Sequence, residues 1–578
     1  MTLHPSVAER LARLAPDQRA AATAPPGPVL CVAPAGSGKT TTLVARIAWL
    51  LASGAAKPGE IAAITFNRRA AVELGERLGA SIEPLGLAPG DVRVRTFHAL
   101  GLEILRDAGA AVEPLLDRMA VLRQVAPEAG AAGWRRLDTA FSRLKLDLGV
   151  TAAEVAADPE PGPIARTFLA YEAAIADEGG LDFDDLVARP LRLLEGDARA
   201  LARWREQCAH LLVDECQDLD RAQLRLALLL AAPANRIFLV GDDDQSIYGW
   251  RLADVRRVLA LAEALPGLRR VDLEVNYRCP ATVIRRAVRL VEHNRERFAK
   301  TIRAREHAPG PIVLAADTAD ELVRIGRVLD RWAMADGAGS DAGEAAGAGQ
   351  APEPLTRAIL TRTNRELLPG IAVALDRRVP FRPPPIELLV ASDLVDSCLD
   401  AVAATTDAGL PLLVRIEAVR ATWARRPASP DDDPDAPRPA DIAAAVLAWA
   451  VPCSTLEALR VAIADRRAAL VELCRDDALL TFATAHATKG LEFDHVAVIG
   501  MERGRFPSAR ALADAVEPER SLEEERRLAY VAWTRARRSL TLVYDPATPS
   551  SFLLEAFSPD ELGINEELSA RQLKLATG

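Results

Sequence analysis

Residues Val29–Thr40 read VLCVAPAGSGKT, and the fold turns on this stretch. Four apolar residues with strand character (Val29–Val32) empty into Ala33–Thr40, and a helical stretch, Thr41–Leu51, follows. Gly36 and Gly38 let the backbone turn tightly, so the N–H groups of Ala35, Gly36, Ser37 and Gly38 face a phosphate at a helix N-terminus. Lys39 has the reach for the β- and γ-phosphates, and the Thr40 hydroxyl suits Mg²⁺. Ala33 stands where the stricter form of this pattern has Gly. A plain Gly-rich turn would share the composition, but the strand–loop–helix context favours a phosphate cradle.

Two further runs supply what such a cradle needs. Ala209–Val213 (AHLLV) leads into Asp214-Glu215, an apolar strand ending in two acids. Asp214 can support Mg²⁺, and Glu215 can position and deprotonate an attacking water. Arg236–Val240 (RIFLV) leads into Gly241–Arg251, GDDDQSIYGWR. There Gln245 can sense a phosphate oxygen, while Tyr248 and Trp250 offer flat faces on which a base can stack. Read alone, this run is equally a polar loop with a core Trp; beside Lys39 it becomes a segment that touches two ligands.

Composition limits the class without choosing it. A chain of 578 residues exceeds one compact core, and 49% apolar with 26% charged residues is ordinary for soluble proteins. The net charge of −10 gives no global sign of a polyanion partner, although a local basic channel works in an acidic protein. Seven scattered cysteines contain no C-x-x-C pair, which argues against a zinc or iron–sulfur site and for a reducing compartment. The charged N-terminus is unlike a signal peptide and no apolar run is long enough to span a bilayer, so a cytoplasmic location without membrane contact is expected.

Apolar runs at Val29–Val32, Ile61–Phe66, Val92–Thr96, His210–Val213 and Arg236–Val240 alternate with helical stretches. A second series follows at Pro311–Leu314, Ala358–Thr361, Leu479–Ala485, Val496–Gly500 and Leu540–Tyr544. The alternation predicts two α/β lobes with parallel sheets covered on both faces. Leu100–Leu194 and Ala401–Cys474 carry helical periodicity and little strand signal, as insertions would. Ala335–Pro354 (Gly/Ala-rich) and Arg426–Asp441 (RPASPDDDPDAPRPAD) have little to bury and are expected as flexible loops.

A resemblance now becomes specific. LAPDQ (Leu14–Gln18), APAGSGKT, ITFNRRAAVEL (Ile64–Leu74), TFH (Thr96–His98), VDECQD (Val213–Asp218) and GDDDQSIYGWR occur in this order. LEVNYR (Leu273–Arg278), ILTRTN (Ile359–Asn364), TAHATKGLEFDHV (Thr484–Val496) and EEERRLAYVAWTRAR (Glu523–Arg537) continue the series. The set resembles the UvrD/Rep/PcrA group of superfamily 1 helicases over nearly the whole chain.

The resemblance implies two RecA-like lobes with ATP between them. The first lobe would take 1–99 and 195–275, with a helical insertion at 100–194. The second would take 276–400 and 475–560, with a flexible loop at 335–354, a shortened insertion at 401–474 and a tail at 561–578. It also implies that Gln18 reads the adenine edge, that Tyr277 stacks on adenine and that Glu492 holds the ribose. Arg278 and Arg535 would reach the γ-phosphate, where positive charge stabilises the spread negative charge of phosphoryl transfer. Phe66, Arg69, His98, Tyr248, Trp250 and His486 would meet single-stranded DNA, for which base stacking is sequence-tolerant. The plainer alternative for Phe66 and Tyr248 is that they are core residues.

Some positions depart from the group. Thr41 stands where close relatives have an Arg that helps sandwich adenine, Cys216 replaces the usual aromatic, and Leu252 takes the place of a Gly. The second insertion is short. The expected function is an ATP- and Mg²⁺-dependent 3′-to-5′ DNA helicase, acting as a monomer on single-stranded and tailed duplex DNA beside repair or replication proteins. A translocase that strips proteins with little unwinding, and an ATP-switched repair adaptor, are the rivals. Stacking and phosphate contacts alone do not separate DNA from RNA.

Overall fold

The computed structural model describes residues 3–340, 354–384, 386–405, 409–425 and 438–564. By packing, the chain forms two units: 1–278 with 294–306, and 279–293 with 307–578.

In the first unit, β1 (Val29–Val32), β2 (Ile61–Thr65), β3 (Arg93–Thr96), β4 (His210–Val213), β5 (Ile237–Gly241) and β6 (Arg269–Asp272) form one sheet in the order β3-β2-β4-β5-β1-β6. Each neighbouring pair is parallel. Both faces are covered, which is why the strands read as unbroken apolar runs. Leu30, Val32, Ala62 and Ile64 pack into a core with Leu226 and Leu230, while Val29, Cys31, Ile61 and Ala63 pack against Leu43, Ile47 and Leu78. The period-two alternation therefore survives as a choice between two cores. Between β3 and β4, helices Arg118–Val125, Gly130–Ser142 and Pro163–Asp177 surround their own core of Leu122, Phe141, Phe168, Tyr171 and Ile175. The short strands β7 (Val275–Asn276) and β8 (Arg303–Ala304) pair with each other.

The second unit repeats the architecture. Strands β9 (Ile312–Ala316), β10 (Arg357–Thr361), β11 (Phe381–Arg382), β12 (Leu480–Thr484), β13 (Phe493–Val498) and β14 (Ala536–Tyr544) form a parallel sheet in the order β11-β12-β10-β13-β14-β9. Helices Asp393–Ala403, Leu412–Ala424, Pro439–Ala450 and Leu456–Leu473 gather around Val395, Leu399, Ile416, Ile442, Val446 and Leu459. The two parallel sheets are the α/β lobes that the alternation of strands and helices predicted, and the RecA-like lobes that the resemblance implied. Among the described residues, no helix is long and apolar enough to cross a membrane.

Some expectations change. The loop expected at 335–354 begins as helix, because Glu321–Ser340 continues through its first six residues. Ile325, Val328, Leu329 and Trp332 anchor that helix in the core, and extending an anchored helix costs far less than starting one. The remainder of that loop, 341–353, lies outside the described residues, as do 426–437 of the second expected loop and the tail from 565. Strands β6 and β11 were not foreseen. Residues 294–306, expected in the second lobe, pack with the first unit, where Arg297 and Lys300 meet buried aspartates.

Asp220 caps helix Arg221–Ala231 by accepting the Gln223 N–H at 2.8 Å. Burial, aided by Asp184, pushes its carboxyl up to about 7, against the opposing pull of that N–H and of Arg257. A carboxyl raised in the folded state favours folding below its usual value near 4 and loses that advantage as pH rises through 7. Asp220→Asn keeps a capping oxygen but does not titrate. Its melting temperature should therefore rise relative to the wild type between pH 5 and pH 8, as followed by circular dichroism; a pH-independent difference would contradict the assignment.

Candidate active site

Strand order builds the site. In a parallel sheet all strands end on one edge, and ligands bind where the connections leave in opposite directions. Across that edge of the first unit come His98 after β3, Phe66 after β2, Asp214-Glu215 after β4, Asp242–Trp250 after β5 and the Ala33–Thr40 loop after β1.

The loop after β1 has the left-handed turns its glycines foretold, with φ of +66° at Gly36 and +87° at Gly38. Helix Lys39–Ala52 starts at once. A Cβ on Gly36 would lie 2.7 Å from both the Arg278 Cβ and the Asn276 amide nitrogen. The segment from β7 therefore lies against the loop: Asn276 Nδ2 donates to the Ala35 carbonyl at 2.5 Å, and the Tyr277 N–H donates to the Gly36 carbonyl at 2.8 Å. Lys39 Nζ is 3.6 Å from Glu215 Oε2, with both side chains largely shielded. Glu215 has φ of +51°, a left-handed conformation that a non-glycine residue adopts at a cost of roughly 1–3 kcal/mol. Strain of this kind at an acid opposite a phosphate-loop lysine accords with a catalytic position.

Glu215 joins a longer network. Gln217 Nε2 donates to Glu215 Oε2 at 2.7 Å, and Gln217 Oε1 accepts the Asp242 N–H at 3.0 Å. Asp242 Oδ2 accepts the Ala35 N–H at 3.1 Å and the Gln245 amide at 2.6 Å. The proposed phosphate sensor is thus tied through one carboxylate to the phosphate loop. Gln18 is buried against the same loop, donating to the Ser37 carbonyl at 2.9 Å and accepting the Ala15 N–H at 3.1 Å. The Ser37 hydroxyl oxygen is buried and makes no hydrogen bond among the described residues. An unsatisfied buried polar atom in this loop fits a phosphate ligand, although two of the four N–H groups expected to face one are used within the protein, that of Ala35 by Asp242 and that of Ser37 by the Pro34 carbonyl. Among the described residues no group of three or more His, Cys, Asp or Glu could hold a metal ion. Mg²⁺ that arrives with a nucleotide needs less, since it keeps several waters and takes one or two protein ligands such as Thr40 and Asp214.

The aromatics form a graded surface. Phe66 and Tyr248 stack with centroids 5.0 Å apart and planes 11° apart, and Tyr248 meets Trp250 edge-on at 6.2 Å. Trp250 is 59% exposed, and the Arg251 guanidinium lies 4.8 Å over its ring. Trp250 is therefore no core residue. His98 stacks on Phe183 at 3.9 Å, and burial pushes its imidazole down to about 4, so it presents a neutral face at neutral pH. Phe183, 56% exposed, was missed by the sequence reading. Its signal was an aromatic enclosed by acids in Leu181–Leu186 (LDFDDL). Those acids anchor it: Asp182 accepts from Lys145, Arg118 and Tyr171, and Asp184 from Arg118 and Ser142. Arg69 is exposed on helix Arg68–Ile82. Leu252, where a Gly was expected, takes φ of +67° at the end of this run.

Other expected residues belong to the second unit. Arg535 is 1% exposed, with Nε donating to the Val531 carbonyl at 2.9 Å and Nη1 to the Leu491 carbonyl at 3.0 Å. Glu492 pairs with Arg537 at 3.4 Å, half exposed. Burial, with Arg362 and Lys489, pushes His486 down to about 3. Arg278 and Tyr277 lie with the phosphate loop in the first unit, Tyr277 being 41% exposed.

A glycine-turned loop between strand and helix, an acid pair facing its lysine and a second parallel lobe define a P-loop protein with two RecA-like lobes. Comparison with known proteins narrows this. Residues 14–266 match the UvrD/REP helicase N-terminal domain and residues 471–546 the UvrD-like helicase C-terminal domain. The chain is 31% identical over 578 residues to ATP-dependent DNA helicase UvrD2 of Mycobacterium bovis, covering 92% of this chain and 78% of the relative. It is 28% identical over 609 residues to DNA helicase II of Escherichia coli, covering 91% and 84%. Similarity to the ATP-dependent DNA helicase Rep of Escherichia coli is 34% over 306 residues, 50% of this chain and 45% of that one. The chain belongs to the UvrD/Rep helicase family.

The crowding at Gly36 makes a direct test. Gly36→Ala adds a methyl at 2.7 Å from two neighbours on a left-handed backbone, and should weaken binding of a fluorescent ATP analogue by tenfold or more. Unchanged affinity would show that the loop does not hold the nucleotide.

Proposed function

We propose that this protein is an ATP- and Mg²⁺-dependent DNA helicase that moves 3′-to-5′ along single-stranded DNA and unwinds duplex ahead of it, in DNA repair or recombination. The observation that carries the proposal is the line that starts at the Lys39–Glu215 ion pair and runs by hydrogen bonds from Glu215 through Gln217 and Asp242 to Gln245, three residues before the Tyr248–Trp250 aromatic surface. The family, and the relatives being DNA helicases, support the substrate class.

In this reading Lys39 and the N–H groups of Gly36 and Gly38 hold the β- and γ-phosphates, the Ala35 N–H being taken by Asp242 and the Ser37 N–H by the Pro34 carbonyl, with Thr41 nearby and Gln18, Tyr277 and Glu492 holding the nucleoside. Thr40 and Asp214 hold the metal, which supplies charge neutralisation at the phosphates. Glu215 orients and deprotonates water, and Arg278 and Arg535 supply positive charge to the γ-phosphate. Gln245 reports the state of that phosphate to Tyr248 and Trp250. Phe66, His98, Tyr248 and Trp250, joined by Phe183, receive bases, while Arg69 meets backbone phosphate and His486 stacks as a neutral ring. Seven free cysteines, five of them buried, suit a reducing cytoplasm.

The short second insertion favours a second reading, a translocase that displaces bound proteins and unwinds poorly. Unwinding of 3′-tailed, 5′-tailed and blunt duplexes, beside ATP turnover, separates the two. The helicase reading predicts fast unwinding of the 3′-tailed substrate alone. In the same assay Lys39→Ala should lower strand-stimulated ATP turnover at least 100-fold; turnover near wild type would refute the catalytic assignment.

A further inference from the structure

The Asp242–Asp244 run places three carboxylates in sequence, all of them fully buried. Three adjacent buried negative charges need compensation within the protein. A single side chain supplies most of it. Lys300, its side chain 1% exposed, lies 3.0 Å from Asp242 Oδ1 and 2.9 Å from Asp244 Oδ2, and also pairs with Asp243. Arg297 adds a bidentate pair to Asp244 at 3.0 and 2.8 Å, and the Phe298 N–H donates to Asp243 at 2.8 Å. The segment that delivers these groups, 294–306, packs with the first unit although its chain neighbours on both sides, 279–293 and 307 onward, belong to the second.

Asp242 uses its two oxygens differently. One accepts from Lys300 and from the Asp244 N–H; the other accepts the Ala35 N–H of the phosphate loop and the Gln245 amide. We propose that Lys300 is a positioning residue: its ammonium fixes the Asp242 carboxylate, and through it the Gln245 amide and the first N–H of the phosphate loop, for the chemical step. This deepens the proposed function and rests on Gln245 acting at the γ-phosphate. Lysine suits the task because one compact ammonium has three donors for three carboxylates, whereas the planar fork of arginine fits one carboxylate at a time.

A positioning role predicts a loss in kcat with binding spared. Lys300→Met leaves a buried carboxylate uncompensated and can destabilise the fold by itself. The paired variant Asp243→Asn/Lys300→Met restores the charge balance while still lacking the ammonium. Thermal melting, strand-stimulated kcat, KM for ATP and affinity for an oligo-dT strand are measured on both variants and on the wild type. The paired variant should regain the melting temperature lost by Lys300→Met and still show kcat reduced tenfold or more, with KM for ATP and oligo-dT affinity within about threefold of wild type. A paired variant that recovers kcat together with its melting temperature would make Lys300 a structural counter-ion only and overturn the proposal. So would one that does not fold, or one whose loss lies in KM or strand affinity. If Lys39→Ala also retained turnover, the underlying ATPase reading would fail; a dead Lys39→Ala beside a fully active paired variant would sink the Lys300 role alone.

Discussion

The Asp242 carboxylate is where the first unit's chemistry is held together. It accepts an N–H from the phosphate loop after β1, the amide of Gln245 and the ammonium of Lys300, while its own N–H is fixed by Gln217. These partners come from four separate parts of the chain. A buried carboxylate is stable only when its acceptor sites are filled, so the position of each partner constrains the others. Any group that pulls on Gln245 acts on the same atoms that orient the phosphate loop. The network is short and Gln217, Asp242 and Gln245 are buried, a condition in which hydrogen bonds are strong and displacement of one member is felt by the rest.

That arrangement depends in turn on the sheet. Placing β5 between β4 and β1 puts the loop that carries Asp242 between the acid pair and the phosphate loop, and placing β2 and β3 beyond β4 carries Phe66 and His98 along the same edge. The residues proposed to hold nucleotide and the aromatic surface are thus neighbours by topology, although 207 residues separate the hydrogen-bonded partners Ala35 and Asp242, and 241 separate Ala35 and Asn276. The helical insertion between β3 and β4 returns to this edge at Leu181–Leu186, where Arg118 and Lys145 neutralise Asp182 and leave the Phe183 ring projecting to His98.

Much of this was legible in the sequence, for physical reasons. Strands buried on both faces leave unbroken apolar runs, and a phosphate loop needs glycine where φ is positive; both signals are local. Missed features were pairings at long range. Lys300 reads as an ordinary solvated surface charge until its three aspartates are brought to it, and Phe183 reads as a core aromatic until its flanking acids are seen to be anchored. β11 has two residues, too few for any periodicity, and three of the four residues of β6 (RRVD) are charged because it lies at the sheet edge. Leu252 was noticed as a departure, but only the backbone reveals that it bears the left-handed conformation a glycine would take without strain. The roles of Arg535, Glu492 and His486 came from resemblance alone, and their surroundings in the second unit would not have suggested them.

The central claim is that the Asp242 network couples a nucleotide at Lys39 to a strand at Trp250. Coupling of two binding sites is reciprocal and has a definite magnitude. The direct measurement is the dissociation constant for an oligo-dT strand with and without a saturating non-hydrolysable ATP analogue, repeated in the reverse sense. The account predicts a change of about fivefold or more, by the same factor in both directions. Equal strand affinities with and without the analogue, with both ligands bound, would contradict it.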